Sequence, residues 1–263
     1  MQQTGEQSSR NAPLFQSERQ RKILALVNMH GAIEVHDLAD HFHVTTETIR
    51  RDLTELQAKR LLKRVHGGAV SWKSFEPLVT KRTYENDEDK RRIAARAVDQ
   101  LPDEGSILID AGSTLVRFAE AITVGRSLHV VTNSLPTAHA LATSRAATVS
   151  VLGGELRSDT LSIVDSKAVG EVGRLNVDVL FVSTDGATAN GLSTPYTYEA
   201  SLKQAMIRAA TRVVSLIDPS KFGQDHLVCF GRWNEIDTLI TCAETDPAIL
   251  ASIASQGVKV VAI

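Results

Sequence analysis

The stretch Val44-Thr-Thr-Glu-Thr-Ile-Arg-Arg-Asp-Leu53 decides how the first part of this chain folds. Thr45 can accept a hydrogen bond from a first-turn N–H and so start a helix. Ile49, Leu53 and then Leu56 recur at i, i+4 and i+7, which predicts one apolar face. Thr46, Glu47, Arg50 and Arg51 fall off that stripe. Arginine can bind guanine bidentately in the major groove or grip a phosphate as a forked donor, and threonine suits a phosphate or a thymine methyl. In isolation such a helix is more often merely solvated, its arginines paired with Glu47, Asp52 or Glu55. Its surroundings reverse that balance.

Upstream, Val35 to Phe42 predicts a helix that buries Leu38, Ala39 and Phe42, and His43-Val44-Thr45 is a three-residue turn. Two helices joined so tightly form a helix-turn-helix, whose second helix enters the major groove. Ahead of them, Ser17 can cap a helix carrying Ile23, Leu24, Leu26 and Val27, and Ile33-Glu-Val35 is a short extended stretch. Downstream, Leu61-Leu-Lys-Arg-Val-His-Gly-Gly-Ala-Val70 places two β-like runs around a Gly-Gly turn, a hairpin. Lys63, Arg64 and His66 stand along it as on a wing over the phosphate backbone. The expected DNA contacts are therefore Thr45, Thr46, Glu47, Thr48, Arg50 and Arg51 on the helix, with Lys63, Arg64, His66 and Gly67 on the wing.

At 263 residues the chain has room for a small domain and a large one. The polar residues 1–16 read as a disordered arm, 17–72 as the winged helix-turn-helix, 73–89 as a linker and 90–263 as an effector-binding and oligomerisation domain. Residues 1–72 hold 10 Lys+Arg against 8 Asp+Glu, and the rest 19 against 23, a mild basic bias at the start. The net charge of −2 argues against indiscriminate coating of nucleic acid. No apolar run approaches the roughly 20 residues of a membrane helix, and the start has no signal-peptide core. Cys229 and Cys242 are too few for a disulfide framework or a zinc cluster. The expectation is a cytoplasmic protein with no membrane partner and no metal.

Beyond a helix expected from Asp89 to Leu101, short β-branched runs alternate with helical patterns. The strands expected are 106–109, 128–131, 148–152, 177–183, 212–217, 238–241 and 259–263, with helices near 114–122, 134–144, 163–174, 197–211 and 246–255. Such alternation means βαβ units and a mostly parallel, Rossmann-like sheet. Nearly every strand ends in small or polar residues: Asp110-Ala-Gly-Ser-Thr114, Thr132-Asn133, Gly153-Gly154, Thr184-Asp-Gly186 and Asp218-Pro-Ser-Lys-Phe-Gly223. In an open α/β sheet those ends line one ligand crevice. Gly112, Ser113 and Thr114 at a helix start form a phosphate cradle as readily as a plain β-to-α turn. The loop is neither a Walker nor a G-x-G-x-x-G pattern, so ATP and NAD are not indicated and no cofactor is expected. Lys203 and Lys221 can add positive charge, and Asp110, Asp185 and Glu199 can accept sugar hydroxyls.

Thr48-Ile-Arg-Arg-Asp-Leu53, Leu56 and Arg64-Val-His-Gly-Gly68 together resemble the DeoR family of bacterial sugar-metabolism repressors, with Thr45 where the family usually has Ser. Asp110-x-Gly-Ser-Thr, Thr132-Asn133, Gly153-Gly-Glu155, Asp185-Gly186, Gly191-Leu-Ser-Thr194, Glu199 with Lys203, and Ser220-Lys-Phe-Gly223 resemble its effector domain, which is similar to ribose-5-phosphate isomerase and the CoA-transferase fold. The resemblance implies a phosphorylated sugar, with phosphate at Gly112, Ser113 and Thr114 and with Asp110, Asn133, Gly153, Gly154, Asp185, Glu199, Lys203 and Lys221 around it. Two departures bear on which sugar fits. Where members often read P-[ND]-L-E-E this chain reads Pro195-Tyr-Thr-Tyr-Glu199, and Gln224 stands where Arg commonly follows Ser-Lys-Phe-Gly.

The leading expectation is a repressor that binds double-stranded operator DNA as a homo-oligomer, dimer or tetramer, and has no catalytic residue. The alternatives are a sugar-phosphate isomerase-like enzyme with an appended DNA-binding domain, for which Glu199, Lys221 and Asp185 offer the acid–base types, and a ligand-free dimerisation scaffold.

Overall fold

The computed structural model describes residues 16–30, 32–58, 61–65, 67–71 and 85–263. Most of the arm expected at 1–16, most of the linker expected at 73–89, and His66 lie outside the described residues. The chain divides into two compact units, one up to Pro77 and one from Leu78 onward.

The first unit contains α1 (Gln16–His30), β1 (Ala32–Glu34), α2 (Val35–Phe42), α3 (Thr46–Ala58), β2 (Leu62–Val65) and β3 (Gly68–Ser71). Helix α2 ends where His43 turns left-handed, with φ 53° and ψ 45°, and hands its N–H back to Ala39 and Asp40. Ile23, Val27, Leu38, Ile49, Leu53, Leu56 and Leu62 close the core. Asp52 turns inward, 1% exposed, and accepts from Arg19 Nε at 2.6 Å and Gln20 Nε2 at 3.2 Å. It is thus a buried strut between α1 and α3 rather than a partner for the surface arginines. The extended stretch expected at 33–35 becomes a third strand of the wing, in the antiparallel order β1-β3-β2. Gly68 makes this possible: a Cβ there would lie 2.4 Å from the Ile33 carbonyl oxygen.

The second unit contains, in order, α4 (Asp87–Ala97), β4 (Glu104–Ile109), α5 (Ser113–Ala121), β5 (Ser127–Thr132), α6 (Leu135–Ser144), β6 (Thr148–Val151), β7 (Leu156–Arg157), β8 (Ser162–Ile163) and α7 (Ser166–Val172). There follow β9 (Val177–Val182), β10 (Gly186–Thr188), β11 (Gly191–Thr194), α8 (Thr197–Ala209), β12 (Ala210–Leu216), β13 (Val228–Gly231), β14 (Thr238–Thr241), α9 (Pro247–Ala254) and β15 (Lys259–Ala262). Seven strands form one parallel sheet in the order β15-β14-β12-β9-β4-β5-β6. Alternate residues feed opposite faces. Ile107, Ile109, Val179 and Phe181 pack with Leu115 and Phe118 of α5. Leu108, Leu180 and Val182 pack with Leu202 and Met206 of α8. Burial on both faces explains why these strands read as unbroken apolar runs.

Helix α4 corrects the expected linker boundary, because it begins at Asp87. Asp87 sits in its first turn and bonds Arg91 Nε at 2.9 Å and Arg117 Nε at 2.6 Å, which anchors residues 87–89 as helix. The short pair β7–β8 and the three-stranded sheet β10–β11–β13 are additions, each strand only two to four residues long.

From β4 the chain runs outward through β5 and β6, then returns to the other side of β4 with β9. The strand order therefore reverses between β4 and β9, and ligands of open α/β sheets bind outside the carboxyl ends at such a point.

Candidate functional site

At the start of α3, Thr45 Oγ1 accepts from the Thr48 N–H at 3.2 Å and so caps the helix, and it meets the Thr48 hydroxyl at 2.9 Å. Glu47, Arg50 and Arg51 project into solvent. Arg50 meets Glu47 at 3.4 Å, and Arg51 meets Glu55 at 3.9 Å. Exposed pairs of this kind are worth about 0.3–0.5 kcal/mol, so an incoming phosphate or guanine displaces them easily. Arg64 Nη1 donates to Thr54 Oγ1 at 2.7 Å, and the Arg64 N–H to Gln57 Oε1 at 2.9 Å. The wing is thereby fastened to the exposed side of α3. Thr54, which the sequence reading passed over, lies one turn beyond Arg50 and is the anchor.

In the second unit, the loops after β4 and β9 meet at the reversal point. Gly112 has φ 152° and ψ 150°, and a Cβ on it would lie 2.4 Å from Ser183 Oγ. Only glycine lets the two loops close up here. Gly112 also supplies no side-chain cap to α5, whose first turn carries the buried Ser113 and Thr114. A helix start without a cap presents free N–H donors and about half a positive charge.

Beside it, Lys203 of α8 is 6% exposed and is ion-paired with Asp110, which is 1% exposed; the same ammonium donates to the Ser183 carbonyl at 3.0 Å. Burial favours the neutral form of both partners: it pushes the Asp110 carboxyl up and works against the Lys203 charge. Asp110, Glu199 and Asp185 together outweigh that penalty for Lys203, whose pKa is held above the ordinary lysine range. Glu199, one turn before Lys203, is shared. One oxygen pairs with Arg157 and the other accepts from Thr194 Oγ1 at 3.0 Å, while Asp185 lies 2.8 Å from the same hydroxyl. Carboxylates outnumber cations in this group, which suits sugar hydroxyls better than phosphate. The uncapped α5 amides are the donors here that an anion could use.

Outside Glu199 opens a cleft of 480 Å³ lined by Glu155, Arg157, Val164, Tyr196 and Tyr198, among others. The Arg157 guanidinium lies 4.2 Å over the Tyr196 ring. Arg157 was not among the expected site residues; its only signal was its place two residues after Gly153-Gly-Glu155.

The other expected residues serve neighbouring structure. The Gly153 N–H donates to Glu171 at 3.0 Å, and Gly154 packs against Asp165. Asn133 Nδ2 donates to the Ile163 carbonyl at 3.2 Å and so pins β8, leaving Oδ1 a buried acceptor without a partner among the described residues. Lys221 ends a short 3-10 turn after β12, with no ion-pair partner among the described residues. None of these four bonds directly to the Asp110–Lys203–Glu199 group.

The DeoR-like helix-turn-helix domain matches residues 19–75, and the DeoR C terminal sensor domain matches residues 85–242. The chain belongs to the DeoR family. Within that family, the HTH-type transcriptional regulator GlpR of Haloferax volcanii is 36% identical, covering 94% of this chain and 98% of the relative. The glycerol-3-phosphate regulon repressor of Escherichia coli is 30% identical, covering 89% and 94%. Among solved structures, ribose 5 phosphate isomerase A from Neisseria gonorrhoeae aligns with 51% of this chain and 52% of its own, at 22% identity and a TM-score of 0.36. A DeoR-family chain is a DNA-binding transcriptional regulator, with a winged helix-turn-helix joined to a parallel α/β sensor unit.

Proposed function

We propose that this regulator represses carbohydrate-metabolism genes and that a phosphorylated sugar, bound at the carboxyl edge between β4 and β9, sets its operator affinity. The observation that carries the reading is the Lys203 ammonium locked between Asp110 and the Ser183 carbonyl, beside the uncapped start of α5. In this reading the amides of Gly112, Ser113 and Thr114 take the phosphate, while Asp110, Asp185, Glu199 and Lys203 take sugar oxygens. Lys221 completes the charge from the β12 loop. Thr46, Glu47, Arg50 and Arg51 face the major groove, and Lys63, Arg64 and Gly67 run along the backbone.

Binding without turnover is favoured by the site itself. An isomerase needs a carboxylate free to take a carbon-bound proton. Glu199 has one oxygen paired with Arg157 and the other on Thr194. A homo-oligomer follows from the short site that one winged helix reads, since pairing half-sites multiplies specificity. Among the described residues no helix is long and apolar enough to cross a membrane, in keeping with a cytoplasmic regulator.

The test is a thermal-shift panel of aldose, ketose and polyol phosphates, followed by fluorescence anisotropy on a duplex selected from random DNA. A ligand at one hundred times its Kd stabilises the native state by about 2.7 kcal/mol. Its coupling to operator affinity should be about 1–3 kcal/mol. The absence of any shift at millimolar concentration, or aldose–ketose interconversion lost in Glu199→Gln, would sink this reading.

A further inference from the structure

After α3 the chain turns back along the helix it has just left. The helix ends at Ala58, and the Leu61 N–H already bonds the Leu56 carbonyl at 3.0 Å. Leu62 then joins Leu56 in the core. One step on, the Arg64 N–H donates to Gln57 Oε1 at 2.9 Å, and Arg64 Nη1 donates to Thr54 Oγ1 at 2.7 Å. Each advance along β2 thus meets a residue further back on α3. The Thr54 hydroxyl is fixed from both sides. Its own proton goes to the Arg50 carbonyl at 2.7 Å, which turns a lone pair toward Arg64.

This clasp lies on the side of α3 that carries its free arginines. Glu47, Arg50, Arg51 and Thr54 fall at i, i+3, i+4 and i+7 and are all exposed, so they form one stripe. Thr54 therefore brings the guanidinium of a wing residue onto the stripe of Arg50. The chemistry of the hold also differs from that of its neighbours. Arg50 and Arg51 meet the carboxylates of Glu47 and Glu55, whereas Arg64 is held by a neutral hydroxyl and a neutral amide. A neutral partner fixes the side chain without cancelling its charge, and the other N–H donors of the planar fork remain for a phosphate. Ordering a long side chain before association removes part of the cost of binding.

We propose that Thr54 is a positioning residue for DNA binding: it holds the Arg64 guanidinium on the exposed stripe of α3, so that Arg64 grips a phosphate at the edge of the same major-groove segment that Arg50 enters. This rests on the DNA contacts proposed above. Fluorescence anisotropy of the full-length protein on a duplex selected from random DNA, at several salt concentrations, tests it. Arg64→Ala should weaken binding and make the dependence of log affinity on log salt shallower by about 0.9, the loss of one phosphate contact. Thr54→Val, which keeps the branched shape and removes the hydroxyl, should weaken binding about three- to tenfold with the urea midpoint unchanged. Thr54→Ser should bind as the wild type does. On the Arg64→Ala background, Thr54→Val should cost nothing further, since the group it positions is gone. Wild-type affinity in Thr54→Val, or a loss that persists in full on the Arg64→Ala background, overturns the positioning role alone. If Arg50→Ala and Arg64→Ala both leave affinity and salt dependence unchanged, the proposed DNA face falls with it.

Discussion

Arg50 with Glu47 and Lys203 with Asp110 are the same chemical pairing in opposite settings. On α3 the two side chains are 53% and 83% exposed and meet at 3.4 Å. In the sensor unit they are 8% and 2% exposed and fully engaged. A surface that must receive a polyanion holds its cations lightly, because whatever neutralises them beforehand must be given up on binding. A buried pair has its charges fixed in advance, so that any polar group entering beside it meets donors and acceptors already oriented. Asp52 shows that burial, and not the unit, decides: it lies in the DNA-binding unit, yet its pair with Arg19 is as enclosed as the sensor's.

The largest effect should come from breaking a buried pair. Lys203→Met strands the Asp110 carboxylate and should cost about 3–5 kcal/mol of stability, read by urea unfolding through the buried Trp233. Adding Asp110→Asn should restore much of it. If the single variant costs less than the double, the charges are not paired as described. Next comes Arg50→Ala, which should weaken operator binding by about 1–3 kcal/mol and relax one base position while leaving stability nearly unchanged. Equal loss on random DNA makes Arg50 a phosphate contact. Smaller still is Glu47→Ala, about 0.5 kcal/mol or less in stability, because the pair it breaks is exposed. A large destabilisation there would erase the contrast between the two settings.

The finest test is one of pH. Asp165 caps α7 and accepts from the Ala168 and Glu155 N–H groups, which hold its carboxyl below the ordinary range. Its contribution is therefore complete above the ordinary aspartate value of about 4 and is lost as pH falls through the lower folded value. The urea midpoint of the wild type should drop further between neutral and acid pH than that of Asp165→Asn. Parallel curves would remove Asp165 from the account.

Much of this was legible in the sequence because local period carries it. Ile49, Leu53 and Leu56 marked α3, and each of the seven parallel strands announced itself as a short apolar run. What stayed hidden was non-local. Strands of two to four residues such as β7, β8 and β10 have too few positions to show a period. Asp52 turns inward because of Arg19, 33 residues earlier, and Arg157 finds Glu199 across 42 residues. Of the expected effector residues, Asp110, Asp185, Glu199 and Lys203 converge. Asn133, Gly153 and Gly154 looked alike in sequence because small and polar residues also make plain turns. Thr45 and Thr48 were expected at the DNA, and their hydroxyls first serve the helix that carries Arg50.

Glu199 has one carboxylate oxygen on Thr194 and the other on Arg157. A change at this one side chain is therefore felt on two elements at once: it takes a partner from the Arg157 guanidinium of β7 and one of two carboxylate acceptors from the Thr194 hydroxyl of β11.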